Sequence, residues 1–105
     1  MTEGYSDFTL EDYQKLIKGL VKERGFDKET VPEVSGLFVE ETGELAKSIR
    51  KSIGQKYGAH SKNRLVEEEI ADVFWLLIDL SNRLGVNLAE AFEAKEKLNK
   101  SRKWQ

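Results

Sequence analysis

Residues 39–46, which read VEETGELA, and residues 66–73, which read VEEEIADV, carry the same acidic pattern. In each segment two adjacent glutamates are followed, after two spacer residues, by another carboxylate and then an aliphatic residue. On helical wheels centred on the apolar stripes, Glu41 and Glu69 both fall at about -40°, and Glu44 and Asp72 at about -100°. Because the two pairs share this phase, antiparallel packing of the two segments would bring four carboxylates to one spot.

The rest of the chain has the periodicity of an all-α protein. It contains one proline, and its apolar residues recur with the 3.6-residue spacing of helices. The segment 54–63, GQKYGAHSKN, is predicted to be a loop because it combines two glycines with polar and basic residues. Four helices are predicted, over about 9–24, 32–53, 64–84 and 87 to the C-terminal tail. We therefore expect a four-helix bundle-like domain that occupies residues 1–105 and oligomerises through helix faces.

Local signals mark several of the predicted helix ends. Thr9 with Asp12, and Asn87 with Glu90, have the form of capping boxes at helix starts. Gly85 is placed where a C-cap glycine would end the third helix.

Composition excludes several classes of function. The formal net charge is -2, which argues against binding to nucleic acid, and the absence of cysteine excludes disulfides and thiolate chemistry. The N-terminus lacks the pattern of a signal peptide. The longest apolar run, from Val73 to Ile78, is too short to cross a bilayer. We expect a cytoplasmic protein without membrane or nucleic-acid partners.

An isolated pair of glutamates one turn apart is usually a solvated helix face. Here Glu41 and Glu69 occupy positions inside apolar stripes, where an unpaired charge would be costly. Lys47 and Lys51 fall at about -160° and -120° on the same wheel, away from the stripe centre. A bound Mg²⁺, or Mn²⁺, would neutralise such a cluster with oxygen ligands, whereas the single histidine disfavours zinc and di-iron sites.

The third predicted helix is apolar nearly all round its middle. The stripe centred on Val73 contains Val66, Ile70, Leu77, Leu80 and Leu84, which are expected to be buried. Phe74, Trp75 and Ile78 lie off this stripe, as expected of a helix buried on two sides. We therefore predict a homodimer or homotetramer with this helix at the interface. The candidates for stacking on a nucleobase are Phe8, Phe26, Phe38 and Trp104.

The acidic pattern also resembles a known family signature. Glu40-Glu41-x-x-Glu44, followed after 24 residues by Glu69-x-x-Asp72, is similar to the EExxE…ExxD motif of MazG-like, all-α nucleotide pyrophosphohydrolases. The resemblance extends over roughly residues 10–104 and includes 43–46 and 85–88.

The resemblance implies a role for each matching residue. It implies metal ligation by Glu41, Glu44, Glu69 and Asp72, and a catalytic role in orienting or deprotonating water for Glu40. It implies contacts to the substrate phosphates from one face of the last helix, by Lys95, Asn99 and Arg102. Members of the family hydrolyse a nucleoside triphosphate to the monophosphate and pyrophosphate. Two alternatives stay open: a phosphoribosyl-ATP pyrophosphatase, and a non-catalytic oligomerisation or adaptor module.

Overall fold

Four α-helices and one 3₁₀ turn form the structure, which is a computed structural model. It describes residues 4–54 and 59–102, with the side chains of 59–64 left outside the description. The helices are α1 (Leu10–Glu23), α2 (Val31–Gly54), α3 (Ala59–Arg83) and α4 (Leu88–Ser101), and the 3₁₀ turn is Phe26–Lys28. The described residues contain no strand, so the all-α prediction is confirmed. None of the described helices has the length and apolarity needed to cross a membrane.

Side-chain caps start α1 and α2. Thr9 Oγ1 accepts a hydrogen bond from the Asp12 N–H (3.1 Å), and Asp12 Oδ2 accepts one from the Thr9 N–H (2.9 Å), which confirms the predicted capping box. Thr30 and Glu33 make the same reciprocal pair at α2, and this second box was not predicted. In both boxes the hydrogen bond from the threonine N–H lowers the pKa of the acidic partner.

Glycines with positive φ end α1 and α3. Gly25 has φ 80° and Gly85 has φ 70°, a region that glycine adopts without the penalty of a Cβ atom. At Gly85 the N–H groups of Gly85 and Val86 donate to Asn82 and Ser81, which is the Schellman pattern and confirms the predicted C-cap. Asn87 then caps α4 by accepting from the Glu90 N–H (2.9 Å), so the structure shows this half of the predicted box.

The predicted loop over 54–63 is wrong where the structure describes it. Gly54 ends α2, and residues 59–63 already belong to α3, which begins five residues before the predicted start at Arg64. Residues 55–58 lie outside the described part. Alanine, serine, lysine and asparagine are tolerated in a helix when the following turns are well packed, so composition alone misplaced this boundary.

Helix α3 is the centre of the packing, because α2 and α1 both lie against it, while α4 packs mainly on α1. Ile17 and Val21 of α1 and Ile78 of α3 form the buried apolar cluster, and Phe74 and Trp75 pack against it. These two aromatic residues lie off the predicted stripe and contact the core of the same chain.

The apolar stripe predicted for α3 is partly wrong. Ile70, Leu77 and Leu84 were expected inside, but they are 52%, 41% and 61% exposed, whereas Ile78 is fully buried. The reason is that both α1 and α2 pack against α3. The buried side of α3 therefore differs from the stripe centred on Val73. The exposed residues recur every seven positions and form one line along the helix.

Candidate metal centre

Three of the four predicted metal ligands lie together. Glu41 on α2, with Glu69 and Asp72 on α3, each offer one carboxylate oxygen, and these oxygens lie within 4.8 Å of one another. Glu69 and Asp72 share a face of α3 because they are three residues apart, and the packing of α2 on α3 places Glu41 opposite them. Glu41 and Glu69 are half-buried and Asp72 is exposed, so the cluster lies at the edge of the interface between α2 and α3. We call these three residues the acidic cluster.

Glu69 is the least satisfied member of the acidic cluster. Its Oε1 atom is buried and has no hydrogen-bond donor among the described residues. Burial raises the pKa of Glu69, and so do the adjacent Glu41 carboxyl and the negative charges of Asp72 and Glu44. The Glu41 and Glu69 carboxyls can hydrogen-bond to each other only while one of them is protonated, so deprotonation leaves the Glu69 oxygen without a donor.

A divalent cation fits this donor set. Glu69 carries an unpartnered buried oxygen and lies beside two further carboxylates, and a cation among the three would offset their negative charge. Hard cations such as Mg²⁺ and Mn²⁺ prefer carboxylate oxygens, and no cysteine is present to favour a softer metal.

Glu44, the fourth predicted ligand, lies beside the acidic cluster without joining its closest group. Its negative charge is near enough to raise the pKa of Glu69. Glu44 and Glu69 also line one small cavity of about 110 Å³, together with Lys47, Lys51 and two other residues. We call it the lysine cavity. Neither lysine forms an ion pair with a described carboxylate.

A larger cavity lies on the other side of the acidic cluster. It measures about 430 Å³ and includes Glu41 and Asp72 in its wall. The remaining lining residues come from the segment after α1, from α2 and from α3: Arg24, Phe26, Leu37, Trp75 and Leu76. We call it the aromatic cavity. Phe26 was among the residues predicted to stack on a nucleobase. Trp75 was not, although its position three residues after Asp72 places both on one face of α3.

Arg83 ties the 3₁₀ turn, and with it Phe26, to α3. Its Nε donates to Asp79 Oδ1 (2.9 Å), its Nη2 to the Phe26 carbonyl (2.8 Å) and its Nη1 to the Glu29 carbonyl. Asp79 is only 4% exposed, so this ion pair is shielded from solvent. This anchor was not predicted, because the two carbonyls that Arg83 contacts belong to residues more than 50 positions away along the chain.

The other predicted site residues lie away from the acidic cluster or at its margin. Glu40 is exposed and precedes Glu41 on α2. Lys95 is exposed on α4, and Asn99 is half-buried, with its Nδ2 donating to Glu96 Oε1 (3.3 Å) and its Oδ1 buried without a partner among the described residues. Arg102 follows the end of α4, where its N–H donates to the Asn99 carbonyl.

No described residue of α4 lines either cavity, and contacts from Lys95, Asn99 and Arg102 to the substrate phosphates stay a prediction. Two predicted stacking residues are also elsewhere. Phe8 packs between Tyr5 and Tyr13, with ring centroids 5.2 Å and 5.3 Å away, and Phe38 does not line the aromatic cavity. Trp104 lies outside the described residues.

The protein is therefore an all-α protein with a candidate metal site. The site consists of carboxylates on two adjoining helices. The comparison with protein families makes this specific. The model of the MazG nucleotide pyrophosphohydrolase domain matches residues 28–104, so the chain belongs to this family. It is a nucleotide pyrophosphohydrolase, a hydrolase that acts on nucleotides.

Two relatives support the assignment. The chain is 34% identical over 92 residues to the uncharacterized protein YpjD of Bacillus subtilis (strain 168). This alignment covers 84% of this chain and 80% of the relative. It is 32% identical over 102 residues to a protein of Salmonella phage PMBT28 named dATP/dGTP diphosphohydrolase. That alignment covers 97% of this chain but only 30% of the phage protein. A single domain over residues 1–105 stays a prediction.

Proposed function

We propose that the chain is a Mg²⁺-dependent nucleoside triphosphate pyrophosphohydrolase, which Mn²⁺ would also support, and that it releases a nucleoside monophosphate and pyrophosphate. The observation that carries this proposal is the convergence of Glu41, Glu69 and Asp72 around a Glu69 side chain that has an unpartnered buried oxygen. Leaving such an oxygen buried lowers stability, which is understandable if the site binds a cation. We propose that Glu41, Glu69 and Asp72 hold the metal and that Glu44 completes the set from α2.

The bound metal would supply charge neutralisation of the phosphate oxygens and a lowered pKa for water. We propose that the exposed Glu40 carboxylate, at the margin of the acidic cluster, takes the proton of the attacking water. The water oxygen forms a bond to the α-phosphorus, the bond from that phosphorus to the bridging oxygen breaks, and pyrophosphate leaves with the bridging oxygen. No side-chain nucleophile is needed, so the protein contributes mainly position and charge.

We further propose that the working form is a homodimer or homotetramer. The accessible surface of the chain is 8354 Å², whereas a compact monomer of 12.0 kDa would expose about 6,000 Å². Its radius of gyration is 16.6 Å, against about 13 Å for a compact chain of this length. Both values exceed those of a compact monomer, which favours burial of part of this surface against a second copy.

The surface we propose for this contact is the line formed by Ile70 and Leu77 on α3 and by Leu84 directly after its end. In such an assembly α4 of a second copy would have a route to the acidic cluster, which is how Lys95, Asn99 and Arg102 would reach the phosphates. Light scattering should give a mass of two or four chains. A Leu77→Lys variant should be monomeric, and a monomeric wild type would exclude the proposed assembly.

The substrate can be narrowed for a first test. The name of the phage relative mentions dATP and dGTP, so we propose purine deoxynucleoside triphosphates as substrates. The test is a panel of canonical and modified nucleoside triphosphates with Mg²⁺ or Mn²⁺, carried out in ¹⁸O-labelled water. Release of pyrophosphate with the label in the monophosphate supports attack at the α-phosphorus. Release of orthophosphate, or label in pyrophosphate, would refute the proposed bond cleavage.

A further inference from the structure

We propose that the triphosphate lies in one direction along the groove between α2 and α3, with its nucleoside in the aromatic cavity and its pyrophosphate end at Lys47 and Lys51. The basis is that the two cavities lie on opposite sides of the acidic cluster and share no lining residue. This inference rests on the proposed function, since it concerns how the same substrate is oriented.

The order of the lining residues along the two helices defines the direction. On α2, Leu37 and Glu41 line the aromatic cavity, and Lys51, further along the helix, lines the lysine cavity. On α3 the order is reversed, with Trp75 at the aromatic cavity and Leu65 at the lysine cavity, as antiparallel packing requires. Leu37 and Lys51 are separated by about 21 Å of helix at 1.5 Å per residue. The acidic cluster lies between the two ends.

The aromatic cavity suits a nucleoside. Its volume of about 430 Å³ is within the usual range for small-molecule sites, and most of its lining side chains are apolar or aromatic. Trp75 packs against the buried cluster of α1 and α3, which holds the indole in place, while Phe26 is 41% exposed at the rim. Any of the nucleobases can stack on such aromatic rings. Arg83 acts as a positioning residue, because it holds the carbonyl of Phe26.

The lysine cavity suits the leaving pyrophosphate. Lys47 and Lys51 are exposed and lie one helical turn apart, so both ammonium groups are available to phosphate oxygens. With about 110 Å³ and no aromatic side chain, the cavity offers a base neither space nor a stacking surface. The reversed direction would place the pyrophosphate among apolar side chains with Arg24 as its one cation. Charge and shape therefore both favour the proposed direction.

Product inhibition tests the direction, because each product should bind at its own end. In the full chain with Mg²⁺ we expect Lys47→Gln/Lys51→Gln to weaken inhibition by pyrophosphate about tenfold or more, since two charged hydrogen bonds are lost. Inhibition by the nucleoside monophosphate should change less than about twofold. Phe26→Ala should show the opposite pattern. Matched controls are Lys18→Gln/Lys22→Gln on α1 and the exposed Tyr5→Ala, which should change neither inhibition.

A crossed pattern, in which the lysine variant weakens only the monophosphate, would show that the substrate lies the other way round. Unchanged inhibition in both variants would remove the two cavities from the site. Either result leaves the proposed function standing if the wild type still releases monophosphate and pyrophosphate.

Fluorescence gives a readout that does not depend on turnover. The chain has two tryptophans, so Trp104→Phe leaves Trp75 as the sole emitter. We expect a deoxynucleoside monophosphate to quench Trp75 with saturation and pyrophosphate to leave its emission unchanged. No quenching by the monophosphate overturns the proposed direction. If the wild type hydrolyses no nucleotide, the proposed function is wrong, and this titration still decides whether a nucleoside binds at Trp75.

Discussion

The two packed faces of α3 treat buried polar groups in opposite ways. Towards α1, Gln14 Nε2 donates to Asn82 Oδ1 (2.8 Å) and to the Val86 carbonyl (2.9 Å), and Gln14 Oε1 accepts from the Leu88 N–H (3.0 Å). Towards α2, Glu69 keeps a buried oxygen without a donor among the described residues. The face towards α1 therefore gains stability from its polar groups, whereas the face towards α2 loses stability. We infer that this loss is retained because the second face binds a ligand.

Replacing Glu69 should separate activity from stability most sharply. We expect Glu69→Gln to reduce nucleotide hydrolysis at least about 1,000-fold, because it removes a charged ligand at the reacting centre. Without metal, the same variant should unfold at a higher temperature than the wild type at neutral pH, since it removes a repelled carboxylate. Hydrolysis rates and melting temperatures check the two halves. Glu67→Gln, an exposed neighbour on α3, is the matched control and should retain activity.

The anchor of the 3₁₀ turn should show the next largest effect. Arg83→Met leaves Asp79 buried without its ion-pair partner and frees two carbonyls, so we expect a loss of about 3 kcal/mol in the free energy of unfolding. Denaturant titration measures this loss. The double variant Arg83→Met/Asp79→Leu should recover part of it, because no unpaired charge remains. A loss well below 1 kcal/mol in the single variant would show that the anchor is not needed.

Gln14 offers the direct counterpart to Glu69 on the face towards α1. Gln14→Leu keeps the approximate shape but leaves Asn82 Oδ1 and the Leu88 N–H without their partners, and we expect a loss of about 2 kcal/mol in the free energy of unfolding. Gln14→Glu keeps the acceptor towards Leu88 but sets a second acceptor oxygen against Asn82 Oδ1 and the Val86 carbonyl, so it should also lose stability. If Gln14→Leu instead stabilised the protein, as expected for Glu69→Gln, the contrast between the two faces would be wrong.

Prediction from sequence succeeded where the cause is local. The capping box of Thr9 and Asp12 and the C-cap at Gly85 depend on residues a few positions apart, and both are present. The acidic positions of Glu41, Glu69 and Asp72 also follow from helical phase, so their convergence needed only the pairing of two helices.

What the sequence did not reveal depends on long-range packing. The Arg83 anchor joins α3 to a turn far away along the chain, and no periodic pattern announces it. The buried side of α3 was misjudged at Leu77 because α1 and α2 share the helix between them. The position of Trp75 in the wall of the aromatic cavity was not predicted for the same reason, although its spacing from Asp72 was a usable signal.

Acid should produce the smallest effect, through the two capping boxes. The folded-state pKa values of Asp12 and Glu33 are lowered, so their stabilisation is present above the ordinary carboxyl pKa and is lost as pH falls through the folded-state values. Asp12→Asn should therefore lower the melting temperature at neutral pH and make no difference at about pH 2. The comparison belongs in a Glu69→Gln background, because protonation of Glu69 acts in the opposite direction. A difference that persists in acid would contradict this explanation.

The most direct test of the central claim is thermal melting of the full chain with and without millimolar Mg²⁺. A cation that binds only the folded acidic cluster must raise the melting temperature, and the rise must grow with its concentration. We expect this rise in the wild type and in Glu67→Gln, and we expect it to vanish in Glu41→Gln/Glu69→Gln. Identical melting curves for the wild type with and without Mg²⁺ would contradict the metal centre.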